Sequence, residues 1–152
     1  MCIRDSHVTG VYNAVYLNEE FRPHAERAAM DGRPVGVVML RVNEYWQLRE
    51  HESSTAADCC LNMAAGILQL AVGPDSEKAA LARLNDGFFA VVTLGTPAAK
   101  MAKVVREAMN DSRREFNISL SRRGSFTVAI ASAEWGETAS WDMMLSLAQQ
   151  RL

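Results

Sequence analysis

The chain has 152 residues, 49% of them apolar and 22% charged, with a formal net charge of −2. These values fit one soluble globular domain large enough to bury its own core, and they leave no basic footprint for nucleic acid. No apolar run approaches the roughly 18 residues that a membrane-spanning helix needs.

Cys2, Cys59 and Cys60 form an odd set without metal-ligand spacing, and two adjacent cysteines are poor disulfide partners. Reduced thiols in a cytoplasmic setting are the expectation. The opening Met1–Ser6 has no periodicity and leads into no apolar signal region, so it reads as a non-native scar ahead of one domain at 7–152.

From Ala14 to about Met30, Leu17, Phe21, Ala25 and Ala28 recur at helical spacing, and Pro23 predicts a kink or a late start. Gly32-Arg33-Pro34 breaks that helix. Val35–Leu40 is a continuous β-favouring run, as expected of a central strand covered on both faces. Ala56–Val72 sets Ala57, Leu61, Ala64, Ala65 and Leu68 on one helical face, ended by Gly73-Pro74-Asp75. Ala80–Leu84 and Phe88–Leu94 flank Asn85-Asp86-Gly87, a strong hairpin signal. Thr96 is placed to cap the next helix with Pro97 in its first turn, and Met101, Val104, Val105 and Ala108 form its core stripe. Phe116–Leu120 and Ser125–Ala133 read as strands around a turn at Arg122-Arg123-Gly124, with Phe126, Val128 and Ile130 on one face. Ala139–Leu152 closes the chain as a helix presenting Trp141, Met144, Leu145 and Ala148. The sum is an α+β sandwich with a ferredoxin-like βαββαβ core: a mainly antiparallel central sheet with flanking helices.

On chemistry alone the sites are sparse. An RNA-reading strand needs a basic residue, a glycine and stacking aromatics at set positions. In Asp86-Gly87-Phe88-Phe89 an acid replaces the base and Phe89 fills a slot for a small residue. Metal-assisted nucleotide chemistry needs converging carboxylates, but the strand end after Leu40 carries Arg41 and the hairpin only Asp86, which reads first as a turn former. His7, His24 and His51 have no ligand spacing. The pairs Arg113-Arg114 and Arg122-Arg123 read as solvated. Arg41 is read as an anion site or, preferably, as the partner of Glu44 or Asp86.

The order of segments resembles the GGDEF domains of bacterial diguanylate cyclases. The family's opening D-x-L-T-G-L-x-N is similar to Ser6–Leu17, with Thr9, Gly10, Tyr12 and Asn13 fitting. Its first central strand and following D-x-D-x-F-K-x-x-N-D align with Val37–Glu50. Its G-H-x-x-G-D brings Ser53, Ser54, Ala57 and Asp58 to the start of the next helix. The signature R-L-G-G-D-E-F-A-V falls on Arg83–Val91, and Phe126–Trp135 is similar to the V-T-V-S-I-G-V-A strand.

In this family two GTP-loaded domains face each other and form cyclic di-GMP. Carried over by position, the first metal-binding aspartate falls on Arg41 and the second acid on Asn43, still an oxygen donor. The guanine-contacting asparagine falls on Arg49, and the guanine-contacting aspartate is retained as Asp58. The signature glycines fall on Asn85 and Asp86, the central acid on Gly87, and the metal-binding glutamate on Phe88. Of the five G-G-D-E-F positions, only the final phenylalanine keeps its identity, as Phe89. The inhibitory R-x-x-D would lie near Ser76 and Ala79 and is absent. The family also continues past the last helix with a lysine and an arginine that hold phosphates, so an end at Leu152 reads as a C-terminal truncation.

The resemblance therefore implies a degenerate, catalytically inactive GGDEF domain that serves as a regulatory or protein-interaction module in bacterial signalling. Its partners would be a second copy or other signalling domains of a longer parent, without nucleic acid and without a membrane segment in this chain. The alternatives are a GTP-binding sensor using Asp58, Asn43 and Arg41, or a cyclase with a rearranged site. No cofactor or metal is expected, with Mg²⁺ entering only alongside residual GTP binding.

Overall fold

A computed structural model of the chain describes residues 12–43, 45–47, 49–50, 54–72, 79–84, 87–119, 128–137 and 140–152. Strand β1 (Tyr12–Asn13) leads into a short α1 (Ala14–Tyr16), a π-helical turn (Leu17–Phe21) and α2 (Arg22–Met30). Asn13 caps α1 by accepting the Tyr16 N–H at 3.1 Å. The disturbance expected around Pro23 takes the form of the π turn just before it, where the Arg22 N–H donates to the Leu17 carbonyl. A widened turn re-pairs backbone groups that the proline ring would otherwise leave in conflict.

Helix α2 ends where Gly32 adopts φ +77°. The Gly32 N–H donates to the Ala29 carbonyl and the Arg33 N–H to that of Ala28, which together make a Schellman cap.

Next come β2 (Val35–Val42), α3 (Tyr45–Gln47), α4 (Ser54–Val72), β3 (Ala79–Arg83), β4 (Phe88–Leu94), α5 (Ala98–Ser119), β5 (Val128–Glu134), a 3₁₀ turn (Trp135–Glu137) and α6 (Trp141–Gln150). The five strands run β1-β3-β4-β2-β5 across the sheet. β2 is antiparallel to β4 and β5, β3 is antiparallel to β4, and β1 pairs parallel with β3. The run β2-α4-β3-β4-α5-β5 is the expected βαββαβ core.

The unbroken apolar run of β2 is explained by cover on both faces. Val38, Leu40 and Val42 pack with Phe89 and Val91 beneath α4 and α5, among Leu61, Ala64, Leu68, Ala102, Val105 and Met109. Val37 and Met39 pack with Ala90 and Val92 on the other face, against Leu17, Phe21, Ala25, Trp141, Met144 and Ala148. α5 approaches β2 very closely at Gly36, where an added Cβ would stand 2.5 Å from the Ala98 Cβ.

Several expectations are corrected. Phe116–Ser119 continue α5 rather than forming a strand. Five residues of alternating polarity suit either structure, and extending an established helix adds a bond per residue without a new nucleation cost. The turn at Arg122-Arg123-Gly124 and Phe126 lie outside the described residues, while Val128 and Ile130 do pack together on the α5 side. The buried stripe of α5 is Ala98, Ala102, Val105 and Met109, rotated so that Val104 is 38% exposed. The helix starts later than expected: the Pro97 carbonyl accepts from Met101, and the Ala98 N–H donates to Glu134 Oε1 at 3.0 Å. Its N-terminal side-chain partner thus comes from β5. β1, only two residues long, leaves no periodic signal.

Cys59 and Cys60 are not disulfide-bonded, and Cys2 lies outside the described residues. Among the described residues, no helix is long and apolar enough to cross a membrane.

Candidate functional site

The loop end of β2 and the β3–β4 hairpin meet at one end of the sheet, and most of the sequence-selected residues lie there. Register places Arg41 beside Phe88 on β4 and beside Ala129 on β5. Leu40 pairs with Phe89, which is fully buried, whereas Phe88 is half-buried. Successive strand residues face opposite sides of the sheet, so one phenylalanine goes into the core and the other to the site.

Among the described residues, two backbone bonds hold the tip. The Leu84 N–H donates to the Phe88 carbonyl at 3.0 Å, and the Val42 N–H donates to the Gly87 carbonyl at 2.9 Å. The second ties the hairpin to the end of β2. Asn85 and Asp86 lie outside the described residues, as does Glu44.

Gly87 is buried, and the space a side chain would need is taken. An added Cβ would meet the Tyr45 Cβ at 2.9 Å, the Val42 carbonyl oxygen at 3.1 Å and the Tyr45 Cγ at 3.3 Å. Tyr45 is thus the packing stop for the tip, and sequence reasoning missed it. The available signal was an aromatic pair, Tyr45-Trp46, directly after an apolar strand. Arg49 Nη1 donates to the Tyr45 hydroxyl at 3.3 Å, and the Arg49 guanidinium lies 5.4 Å from the centre of the half-exposed Trp46 ring. That spacing suits a cation–π contact.

Arg41 Nε donates to Asn43 Oδ1 at 3.1 Å on the exposed rim. Among the described residues, no carboxylate lies within ion-pair distance of Arg41. Asp58 is half-buried on α4 beside an open cavity of about 440 Å³ lined by Thr55, Asp58, Cys59, Asn62 and Met63. Arg41, Asn43 and Phe88 do not line that cavity. Among the described residues, no group of three or more His, Cys, Asp or Glu side chains is placed to hold a metal ion. Among the described residues, the Arg41 corner presents a guanidinium, an amide and an aromatic ring, a set that attracts anions more readily than a divalent cation.

A family model described as "Diguanylate cyclase, GGDEF domain" matches residues 4–152. The chain belongs to this family. Solved GGDEF structures share its fold. The FimX GGDEF domain from Pseudomonas aeruginosa is 22% identical with a TM-score of 0.79, over 97% of this chain and 90% of that one. The GGDEF domain of DgcB from Caulobacter crescentus, in complex with c-di-GMP, is 17% identical with a TM-score of 0.79, over 99% and 88%. Diguanylate cyclase SiaD from Pseudomonas aeruginosa, in complex with its activator SiaC, is 18% identical with a TM-score of 0.79, over 97% of this chain and 55% of SiaD. At these identities the likeness concerns the fold.

In this GGDEF domain the sheet brings together Arg41, Gly87 and Phe88, with Asn43 bonded to Arg41, residues that the family resemblance puts at signature and strand-end positions. It leaves Asp58 on the neighbouring helix. Ala79, near which the resemblance puts one inhibitory-motif position, opens β3, and Ser76 lies outside the described residues. Thr9, Gly10 and Ser53 of the other family motifs, and His7 and His51, also lie outside them.

Proposed function

We propose that this GGDEF domain does not cyclise GTP and acts as a regulatory or protein-interaction module in cyclic di-GMP-type signalling. The observation that carries the reading is the cross-strand pair Arg41–Phe88. These are the positions where the family resemblance puts metal-binding carboxylates. Attack of a 3′-hydroxyl on an α-phosphate builds negative charge that Mg²⁺ normally neutralises. A guanidinium and a phenyl ring supply no oxygen ligand, and the guanidinium repels the metal. The partners of such a module would be a second copy or other signalling domains in the cytoplasm; the SiaD structure, a complex with its activator SiaC, shows a relative engaged by another protein.

Purified protein incubated with GTP and Mg²⁺ is expected to yield no cyclic di-GMP by mass spectrometry. Clear turnover would overturn the reading in favour of a cyclase with a rearranged site.

A second reading is a GTP sensor that binds without cyclising. It is favoured by the retained Asp58 beside an open cavity and by the lack of an ion-pair partner for Arg41 among the described residues. Calorimetry separates the two. The sensor requires metal-independent GTP binding that weakens in Asp58→Ala and Arg41→Ala, and no heat at millimolar GTP sinks it.

A further inference from the structure

Among the described residues, β5 is the last strand on its side of the sheet, so one of its long edges has no strand beside it. It is seven residues long, Val128–Glu134, and its only charge is the final glutamate. An edge of this length, charged only at its end, is a template for another chain unless something blocks it.

Side chains occupy that edge. Arg151 Nη1 donates to the Ser132 carbonyl at 2.8 Å, and Arg106 Nη2 donates to the Ile130 carbonyl at 3.4 Å. The Glu134 N–H donates to Glu137 Oε2 at 2.9 Å. These bonds fall on residues 130, 132 and 134, the alternate set whose backbone groups a two-residue period turns away from β2. They arrive from three elements: Arg106 from α5, Glu137 from the 3₁₀ turn and Arg151 from the end of α6. Glu137 and Arg151 also hold each other through a two-point pair at 2.9 and 3.1 Å. One fork thus fixes both the donor to Ser132 and the acceptor from Glu134, which gives the pair more geometric definition than a single surface contact has.

We propose that Arg106, Glu137 and Arg151 form a guard that keeps the outer edge of β5 from pairing with a second copy of this chain. A second copy is the partner that the bare edge fits. Antiparallel pairing about Ala131 sets Ile130 opposite Ser132 of the other copy and Ala129 opposite Ala133. Glu134 then faces Val128, so no like charges meet.

The test uses the full chain. In sedimentation equilibrium, Arg106→Ala/Glu137→Ala/Arg151→Ala associates at least about tenfold more tightly than the parent, as expected when several outward groups are left to pair between copies. Arg151→Ala alone associates to an intermediate degree, and it carries the test if the triple variant does not fold. Adding Ser132→Pro to either variant, which removes an N–H from the outward edge, returns association to the parent level. Arg22→Ala removes the exposed pairs to Glu26 and Asp142 without touching β5 and leaves association unchanged. The proposal is overturned if the guard variants associate no more than the parent, if Arg22→Ala associates equally, or if Ser132→Pro fails to reverse the gain.

Discussion

Placing any side chain at Gly87 tests the packing that shapes the site. Gly87→Ala puts a methyl 2.9 Å from the Tyr45 Cβ and 3.1 Å from the Val42 carbonyl oxygen. Neither neighbour is the free end of a flexible side chain. The Tyr45 Cβ is fixed to α3 and Tyr45 is buried, while the Val42 carbonyl belongs to β2 next to the Val42–Gly87 backbone bond. Overpacking of this kind costs about 1–3 kcal/mol. Lower unfolded-state entropy returns about 0.4–1 kcal/mol for Gly→Ala. The net expectation is a loss centred on about 1.3 kcal/mol, or roughly 3–5 °C in Tm for a chain of this size. Gly87→Asp should cost more, because its carboxylate enters a buried site beside a carbonyl oxygen. Urea unfolding followed by circular dichroism gives the free energies. The cost of Gly87→Ala should shrink in a Tyr45→Gly background, which removes two of the three close atoms. A Gly87→Ala protein as stable as the parent, or an undiminished cost without Tyr45, would refute the steric reasoning. If the reasoning holds, position 87 cannot take an acid without repacking α3.

Other predictions concern the rest of the molecule. Arg41→Asp/Phe88→Glu should acquire Mg²⁺-dependent GTP binding by calorimetry, whereas neither single change suffices, since one leaves the cation and the other leaves no second carboxylate; equal gain from either single variant would contradict this. Gly36→Ala should lower stability by about 1–3 kcal/mol because its Cβ would lie 2.5 Å from that of Ala98, and Ala98→Gly should relieve part of the loss. The hydrogen bonds from Arg151 first, and then from the Glu134 N–H, hold the exposed Glu137 carboxyl below its ordinary pKa. Its folded-state value lies below the unfolded one, so its contribution is complete above the ordinary carboxylate range and fades as pH falls through the folded-state value. The Tm difference between parent and Glu137→Gln should therefore shrink on acidification, and a difference that grows would contradict the assignment.

Much of the fold was legible because its signals are local. Leu17, Phe21, Ala25 and Ala28 recur at the helical period and are all buried. The two-faced apolar run of β2, the glycine stop at Gly32 and the hairpin around Gly87 need only neighbouring residues to recognise. The same local reading failed where two periods fit equally well, as at Phe116–Ser119, and where a one-residue rotation decided which face of α5 is buried.

The sequence by itself determined the α+β architecture, the family resemblance and the residue types at its motif positions, because helix and strand periods and side-chain identity are written along the chain. Tertiary structure alone decided which distant residues touch. It set Arg41 beside Phe88, closed Tyr45 over Gly87, pressed Ala98 against Gly36, and brought Glu134 to the start of α5 and Arg151 to the edge of β5. Each of these contacts joins segments far apart in the chain, and its geometry is fixed by strand register and helix packing rather than by any local pattern.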